Sequence, residues 1–282
     1  MRPLANEIPN RLNAGVLQKN CILTCIQEYK YSRRIAVCFN HSALTEVIPV
    51  SRLSPLQGNA RRSLGDQIYE SIREAIVSLR MEPGTLVYEN ELAESLGVSR
   101  TPVRDAIRLL VSEQLLEVLP QRGTRIAFIS ERKVSEARFI REHLELGAFR
   151  LVAKQWKKQD RTREVEAIRK LFQDQRVAAD GGDIASFLQL DEAFHRTVME
   201  MTGNETLLQV IGHMRAHLNR LRFLAIREYR TMGRVMEEHE QLLAALQDGD
   251  EPRTAMLLEQ HIGKLDHELP ELRRAHAAYF KD

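Results

Sequence analysis

The chain has 282 residues, of which 43% are hydrophobic and 28% charged, and its 41 Lys and Arg against 39 Asp and Glu leave a formal net charge of +2. A chain of this length is expected to form two domains, and its composition excludes collagen-like, disordered and disulfide-scaffold classes. No apolar run approaches the roughly 18 residues that a membrane helix needs, so no membrane partner is expected.

Met1-Arg2-Pro3-Leu4 leads into polar residues and not into an apolar signal core. The three cysteines, Cys21, Cys25 and Cys38, are odd in number and all early, which suits a reducing cytoplasm better than a disulfide framework. Residues 1–62 carry 9 basic against 3 acidic side chains and read as a basic extension, closing in a linker over 51–63. Cys21 and Cys25 lack a second ligand pair nearby, so ordinary reduced thiols are the better reading than a metal site. The apolar stretch 35–39 is a strand candidate.

From Leu64 the apolar period becomes helical, with Leu64, Ile68, Ile72, Ala75, Ile76 and Leu79 on one face. Pro83-Gly84 breaks it. A short helix over about 89–96 turns inward Leu92, Ala93 and Leu96, Gly97-Val98 makes a tight turn, and Ser99 is placed to cap the next helix. In that helix Val103, Ile107, Leu110 and Val111 form the buried stripe, leaving Arg100, Arg104 and Arg108 outside. Leu116–Leu119 and 124–128 read as two strands around Pro120-Gln121-Arg122-Gly123, a wing with Arg122 beside Gly123 at its tip.

Two short helices joined at a glycine, the second opening with exposed arginines, form a helix-turn-helix. Free N–H groups at the second helix's start suit phosphates, and the arginine fork suits guanine or phosphate. Residues 63–130 carry 7 basic against 10 acidic side chains. The DNA-binding expectation therefore rests on where five arginines between positions 100 and 125 stand, not on bulk charge. These residues, Leu92-Ala93-Glu94-Ser95-Leu96-Gly97-Val98-Ser99-Arg100-Thr101-Pro102-Val103-Arg104-Asp105-Ala106 above all, resemble the winged helix of GntR-family bacterial transcription regulators. The resemblance places DNA contacts on Ser99, Arg100, Thr101, Arg104, Arg122 and Gly123; Arg108 joins them by helical spacing.

Residues 131–282 read as helix throughout, over about 132–158, 161–179, 183–201, 204–229, 232–247 and 251–278. Such a run implies an antiparallel bundle of about six helices, giving a mainly α protein with an N-terminal winged helix-turn-helix. Asp191 and His195 are four apart on one helix and point the same way. His239 precedes Gly249 by 10 residues and His261 follows it by 12, so an antiparallel hairpin sets them side by side. One carboxylate and three imidazoles suit Zn²⁺, Ni²⁺ or a similar divalent ion, with positions left open for water or ligand. His213 and His217 form a competing pair four apart, read as packing behind that cluster or on the surface.

Arg141-x2-Leu144-Glu145, Asp191-x3-His195, Gly203-Asn204 and His239-x21-His261 are similar to the FCD ligand-binding domain of the FadR subfamily. That resemblance implies a metal held by Asp191, His195, His239 and His261 and a small organic or sugar acid effector bound beside it. Arg141 is the candidate carboxylate clamp because its fork fits that group, the alternative being a helix-surface salt bridge. The expected protein is a cytoplasmic, homodimeric regulator, more a repressor than an activator and not an enzyme. As a homodimer it would read a pseudo-palindromic operator in double-stranded DNA. Two rivals remain: a metal-dependent bundle enzyme, and a DNA-binding protein with a purely structural metal. Against the first, di-iron bundles need two Glu-x-x-His motifs, and only Glu192-x2-His195 is present, with Met236 and Leu258 at the positions that would complete it before His239 and His261.

Overall fold

The computed structural model describes residue 53 and residues 63–281. The expectations for the three cysteines, the 35–39 strand and most of the basic extension fall outside the described residues. Helix α1 (Leu64–Val77) starts at Ser63, whose hydroxyl accepts the Asp66 N–H at 3.1 Å while the Asp66 carboxylate accepts the Ser63 N–H at 3.3 Å. This reciprocal box satisfies two donors that a helix start would leave orphaned. Ile68, Ile72, Ala75 and Ile76 are fully buried, but Leu64 stays 45% exposed because it sits in the first turn, beyond the core of the N-terminal winged helix-turn-helix (hereafter the reader).

Past α1 the chain runs through β1 (Leu86–Val87), α2 (Glu89–Leu96), α3 (Arg100–Ser112), β2 (Leu116–Leu119) and β3 (Gly123–Ile126). The sheet order is β1-β3-β2, antiparallel, with Leu86 opposite Arg125 and Leu119 opposite Gly123. The alternation of residues predicts β2 and β3 but not β1, which is too short to show a period. Between α2 and α3 Gly97 takes φ 65°, a left-handed cap that a side chain would strain. In α3 the buried stripe is Val103, Ala106, Ile107 and Leu110, and Val111 is only partly covered. At the wing, Pro120 followed by Gln121 at φ 62° closes a turn in which the Arg122 N–H donates to the Leu119 carbonyl at 3.0 Å.

The helical region comprises α4 (Glu131–Gln155), α5 (Thr162–Asp180), α6 (Ile184–Glu200), α7 (Glu205–Tyr229), α8 (Met232–Asp248) and α9 (Glu251–Ala275). Ser130, Asp183, Asn204 and Asp250 cap four of these with their side chains, each accepting an N–H three residues on. Two ends differ from expectation. Helix α4 gives way at Trp156 to a single 3₁₀ turn, and α9 stops at Ala275 before a 3₁₀ turn over Ala277–Tyr279. Helix α4 packs against α6, α7, α8 and α9, which places it at the centre of the bundle.

The reader and the bundle share a boundary of packed side chains. Helix α1 lies on α7, and Ala216 of α7 belongs to the reader's own apolar core. The tail after α9 returns to this boundary, where the Ile129 N–H donates to the Tyr279 carbonyl at 2.9 Å. Gly84 marks the tightest approach. Its φ is +87°, its N–H donates to the Ile126 carbonyl at 2.9 Å, and an added Cβ would lie 2.9 Å from the Phe128 ring. Replacing Gly84 by Ala is therefore expected to lower unfolding stability by about 1–3 kcal/mol, from the left-handed backbone and the ring contact together. Urea unfolding midpoints of the two proteins measure it.

Candidate metal centre and nucleic-acid interface

Helix α6 supplies Asp191 and His195 one turn apart, α8 supplies His239 and α9 supplies His261. The first three have no solvent exposure and His261 only 9%. One ligand atom from each lies within 4.8 Å of all the others. The imidazole centroids are 5.0 to 5.3 Å apart, and Asp191 Oδ1 stands 3.3 Å from His239 Nε2.

The outward nitrogen of each imidazole meets an oxygen from another helix. His195 Nδ1 lies 2.8 Å from Glu145 Oε2, His261 Nδ1 2.9 Å from Glu238 Oε2, and His239 Nδ1 3.4 Å from Gln175 Oε1. Partners of this kind fix ring orientation around a metal. Inward, His195 Nε2, His239 Nε2 and Asp191 Oδ1 are buried without a hydrogen-bond partner. Buried polar atoms are normally paired, so three orphans facing one another fit a divalent cation.

Burial pulls the His195 imidazole down to about 3 in spite of Glu145, and burial together with the neighbouring His239 holds His261 well below its usual value. Both rings are therefore neutral, the form that ligates. Burial alone would raise the Asp191 carboxyl, but Arg222 above all, with the His239 side chain beside it, holds it well below the carboxylate range. The Arg222 contact is direct, Nη2 donating to Asp191 Oδ2 at 2.6 Å. Glu145 is kept ionised in the same way, chiefly by Arg141 and His195.

Arg141 is not the surface salt bridge of the alternative reading. It is 6% exposed, and its Nε donates to Glu145 Oε1 at 2.9 Å. Arg215 Nη2 reaches the same oxygen at 3.4 Å, and both arginines line a narrow void walled by Ile140, Ile211, Met214 and Leu218. His217 corrects an expectation: it neither backs the cluster nor lies on the surface. It is 9% exposed at the boundary with the reader, its Nε2 3.2 Å from the Glu113 carbonyl oxygen. The orienting groups Gln175, Arg215, Arg222 and Glu238 carry no signal in the sequence, since each acts on a residue of another helix, Glu238 reaching across to His261 although it adjoins His239. Only Glu145, four residues after Arg141, was legible as a pair.

On the reader, Ser99 occupies the cap position of α3, but its hydroxyl makes no capping bond. Thr101, Arg122 and Gly123 are exposed. Arg100 and Arg104 both lean on Glu89 of α2, at 3.6 and 3.3 Å, and Arg108 lies 3.6 Å from Asp105. Their side chains remain 49 to 73% exposed, and ion pairs at such sites are weak enough for a phosphate or a base to displace. Gly123, at φ +97°, lets the wing tip approach the Tyr88 ring, where a Cβ would sit 3.1 Å away. Arg125, the fifth arginine, is turned back on to the sheet, bonded to Glu117 at 2.6 Å and lying over the Phe128 ring.

Residues 64–126 match the gntR family of bacterial regulatory proteins, and residues 136–264 match the FCD domain. The chain is 31% identical over 217 residues to an uncharacterized HTH-type transcriptional regulator in an unstable DNA locus of Streptomyces ambofaciens, covering 77% of this chain and 89% of that one. It is 26% identical over 228 residues to the HTH-type transcriptional repressor RspR of Escherichia coli strain K12, covering 80% and 97%. The solved structure of E. coli McbR/YncC shares the fold, with a TM-score of 0.63 at 22% identity over 76% of this chain and 99% of that one. The chain belongs to the GntR family of DNA-binding transcription regulators, with an FCD domain following its winged helix. These sequence relatives are HTH-type transcriptional regulators or repressors, which places the chain with regulators and not with bundle enzymes. No helix among the described residues is long and apolar enough to cross a membrane.

Arg222→Met leaves Asp191 buried with no cation against it. In chelator-treated protein this substitution is expected to cost about 3–5 kcal/mol of unfolding stability, the usual penalty for breaking a buried ion pair from one side. Denaturant titration of both proteins checks it.

Proposed function

We propose that the protein is a repressor of the FadR subfamily that works in the cytoplasm as a homodimer and releases or grips its operator according to what is bound at a metal centre. In this reading residues 63–130 read DNA through Ser99, Arg100, Thr101, Arg104, Arg108, Arg122 and Gly123. Residues 131–282 hold the metal, the effector and the dimer contact. Two readers related by a two-fold axis match a pseudo-palindromic operator and gain the affinity that one short helix lacks.

The observation that carries the reading is the set of orphaned atoms of Asp191, His195 and His239, closed by His261, in the middle of an FCD bundle. Three imidazoles and a carboxylate favour Zn²⁺, with Ni²⁺ a chemical alternative. When bound, the metal supplies positive charge and open positions for a carboxylate. Small organic or sugar acids are the effector class, and Arg141, whose planar fork fits a carboxylate and which stands beside Glu145 next to the metal ligand His195, is the clamp for the acid group.

Two measurements test this. The doubly substituted His239→Ala, His261→Ala protein is expected to retain less than a tenth of the wild-type metal content after purification in zinc, read by elemental analysis; full occupancy overturns the centre. For the reader, a duplex selected from a random pool by the wild-type protein serves as probe. Arg104→Ala is expected to weaken its binding by about 1–3 kcal/mol at fixed salt with the melting temperature unchanged. Unaltered affinity in a gel shift removes Arg104 from the interface.

A further inference from the structure

Helix α7 carries two sets of polar side chains that serve different neighbours. Toward the metal centre, Arg222 donates to Asp191 at 2.6 Å, Arg215 lies 3.4 Å from Glu145, and Asn219 donates to Glu192. Toward the DNA reader, His217 Nε2 is 3.2 Å from the carbonyl oxygen of Glu113, the C-cap that follows α3. Arg220 donates from Nη1 to the Ala127 carbonyl at 2.5 Å and from Nη2 to the Phe128 carbonyl at 3.2 Å. At about 100° per residue, positions 215, 219 and 222 fall within an arc of about 60°, and 217 and 220 within a second such arc on the opposite side of the helix.

Arg220 is an unusual residue to find here. It has no solvent exposure, no carboxylate pairs with it among the described residues, and its Nε has no partner. Its remaining donors go to His217 Nδ1, at 2.8 Å, and to two successive main-chain carbonyls. Ala127 and Phe128 form the join between β3 and α4, where the reader passes into the bundle. A planar guanidinium holding both carbonyls fixes the direction in which the chain leaves the reader.

We infer that α7 is the connecting rod between metal centre and reader, and that Arg220 is the positioning residue at the reader end. The inference rests on the proposed metal centre. A ligand there changes what Arg222 and Arg215 must satisfy. A packed helix answers by moving as a unit, and the motion reaches the reader through the hold of Arg220 on the join. The coupling is reciprocal, so operator DNA changes metal affinity by the same factor.

The test uses full-length protein, zinc or a chelator, and the selected duplex. Zinc affinity and duplex affinity are measured for wild type, Arg220→Met and Arg220→Lys. Wild type is expected to change duplex affinity about tenfold between the zinc and chelator states, within the usual range for coupled sites. Arg220→Met is expected to bind zinc within about twofold of wild type while its coupling falls below about twofold. Arg220→Lys, with one donor head in place of a fork, is expected to fall between them; it also serves if the Met variant melts early. A wild-type coupling factor in either folded variant overturns the inference and points to α4 as the carrier. Zinc binding without any change of duplex affinity in wild type overturns it too, and leaves the metal centre standing. Failure of wild type to bind zinc removes both.

Discussion

A carboxylate with no solvent exposure, Asp191, sits in the middle of a helical bundle, and much of the structure answers the need to match its charge. Left unpaired, such a group costs several kcal/mol, more than a domain of this size can spare. Arg222 supplies the match at 2.6 Å, which requires α7 to run alongside α6. Glu145 on α4 poses the same problem and is answered by Arg141 from its own helix and Arg215 from α7. The three helices are thus held in register by charge as well as by apolar packing. His195, His239 and His261 then complete a chamber whose inner atoms still lack partners.

The apolar residues around that chamber give it rigidity. The Phe194 and Phe172 ring centroids lie 4.5 and 6.0 Å from that of His239, Phe172 nearly parallel to it, while Leu242, Leu258 and Ile262 belong to the same core. Close-packed side chains leave little room for one to shift without its neighbours. The reader is attached to this rigid body by three kinds of contact. Helix α1 packs on α7, Arg220 holds the Ala127 and Phe128 carbonyls, and the tail after α9 pairs with Ile129.

Local chemistry made most of the elements legible. Gly97 and Gly249 announce helix ends, because a left-handed backbone depends on residues within one turn. The capping bonds of Ser63, Asp183, Asn204 and Asp250 emerge only in the structure, while Ser99, the cap that the spacing suggests, makes none. The convergence of Asp191, His195, His239 and His261 was legible for a related reason: one pair shares a helix face, and the other flanks a hairpin turn at nearly equal distance. Strand β1 was not legible, since two residues have no period and Leu86-Val87 becomes a strand only when β3 lies beside it. Nor was the exposure of Leu64, whose place on the apolar stripe does not say how far the covering core extends.

The sequence by itself determined the order of the helices and of the two wing strands, the helix-turn-helix with its outward arginines, and the four residues that meet in the bundle, because each depends on spacing along one helix or one hairpin. Tertiary structure alone decided which groups orient those four, that Arg141 is buried against Glu145, that Arg125 faces the sheet, and that His217 and Arg220 serve the reader. Those facts depend on contacts between residues from 23 to 104 apart in the chain, or on which face of a helix or sheet is covered, and no local period encodes either. The +2 net charge is likewise silent on them. What organises this protein is a small number of charges placed where water cannot reach them.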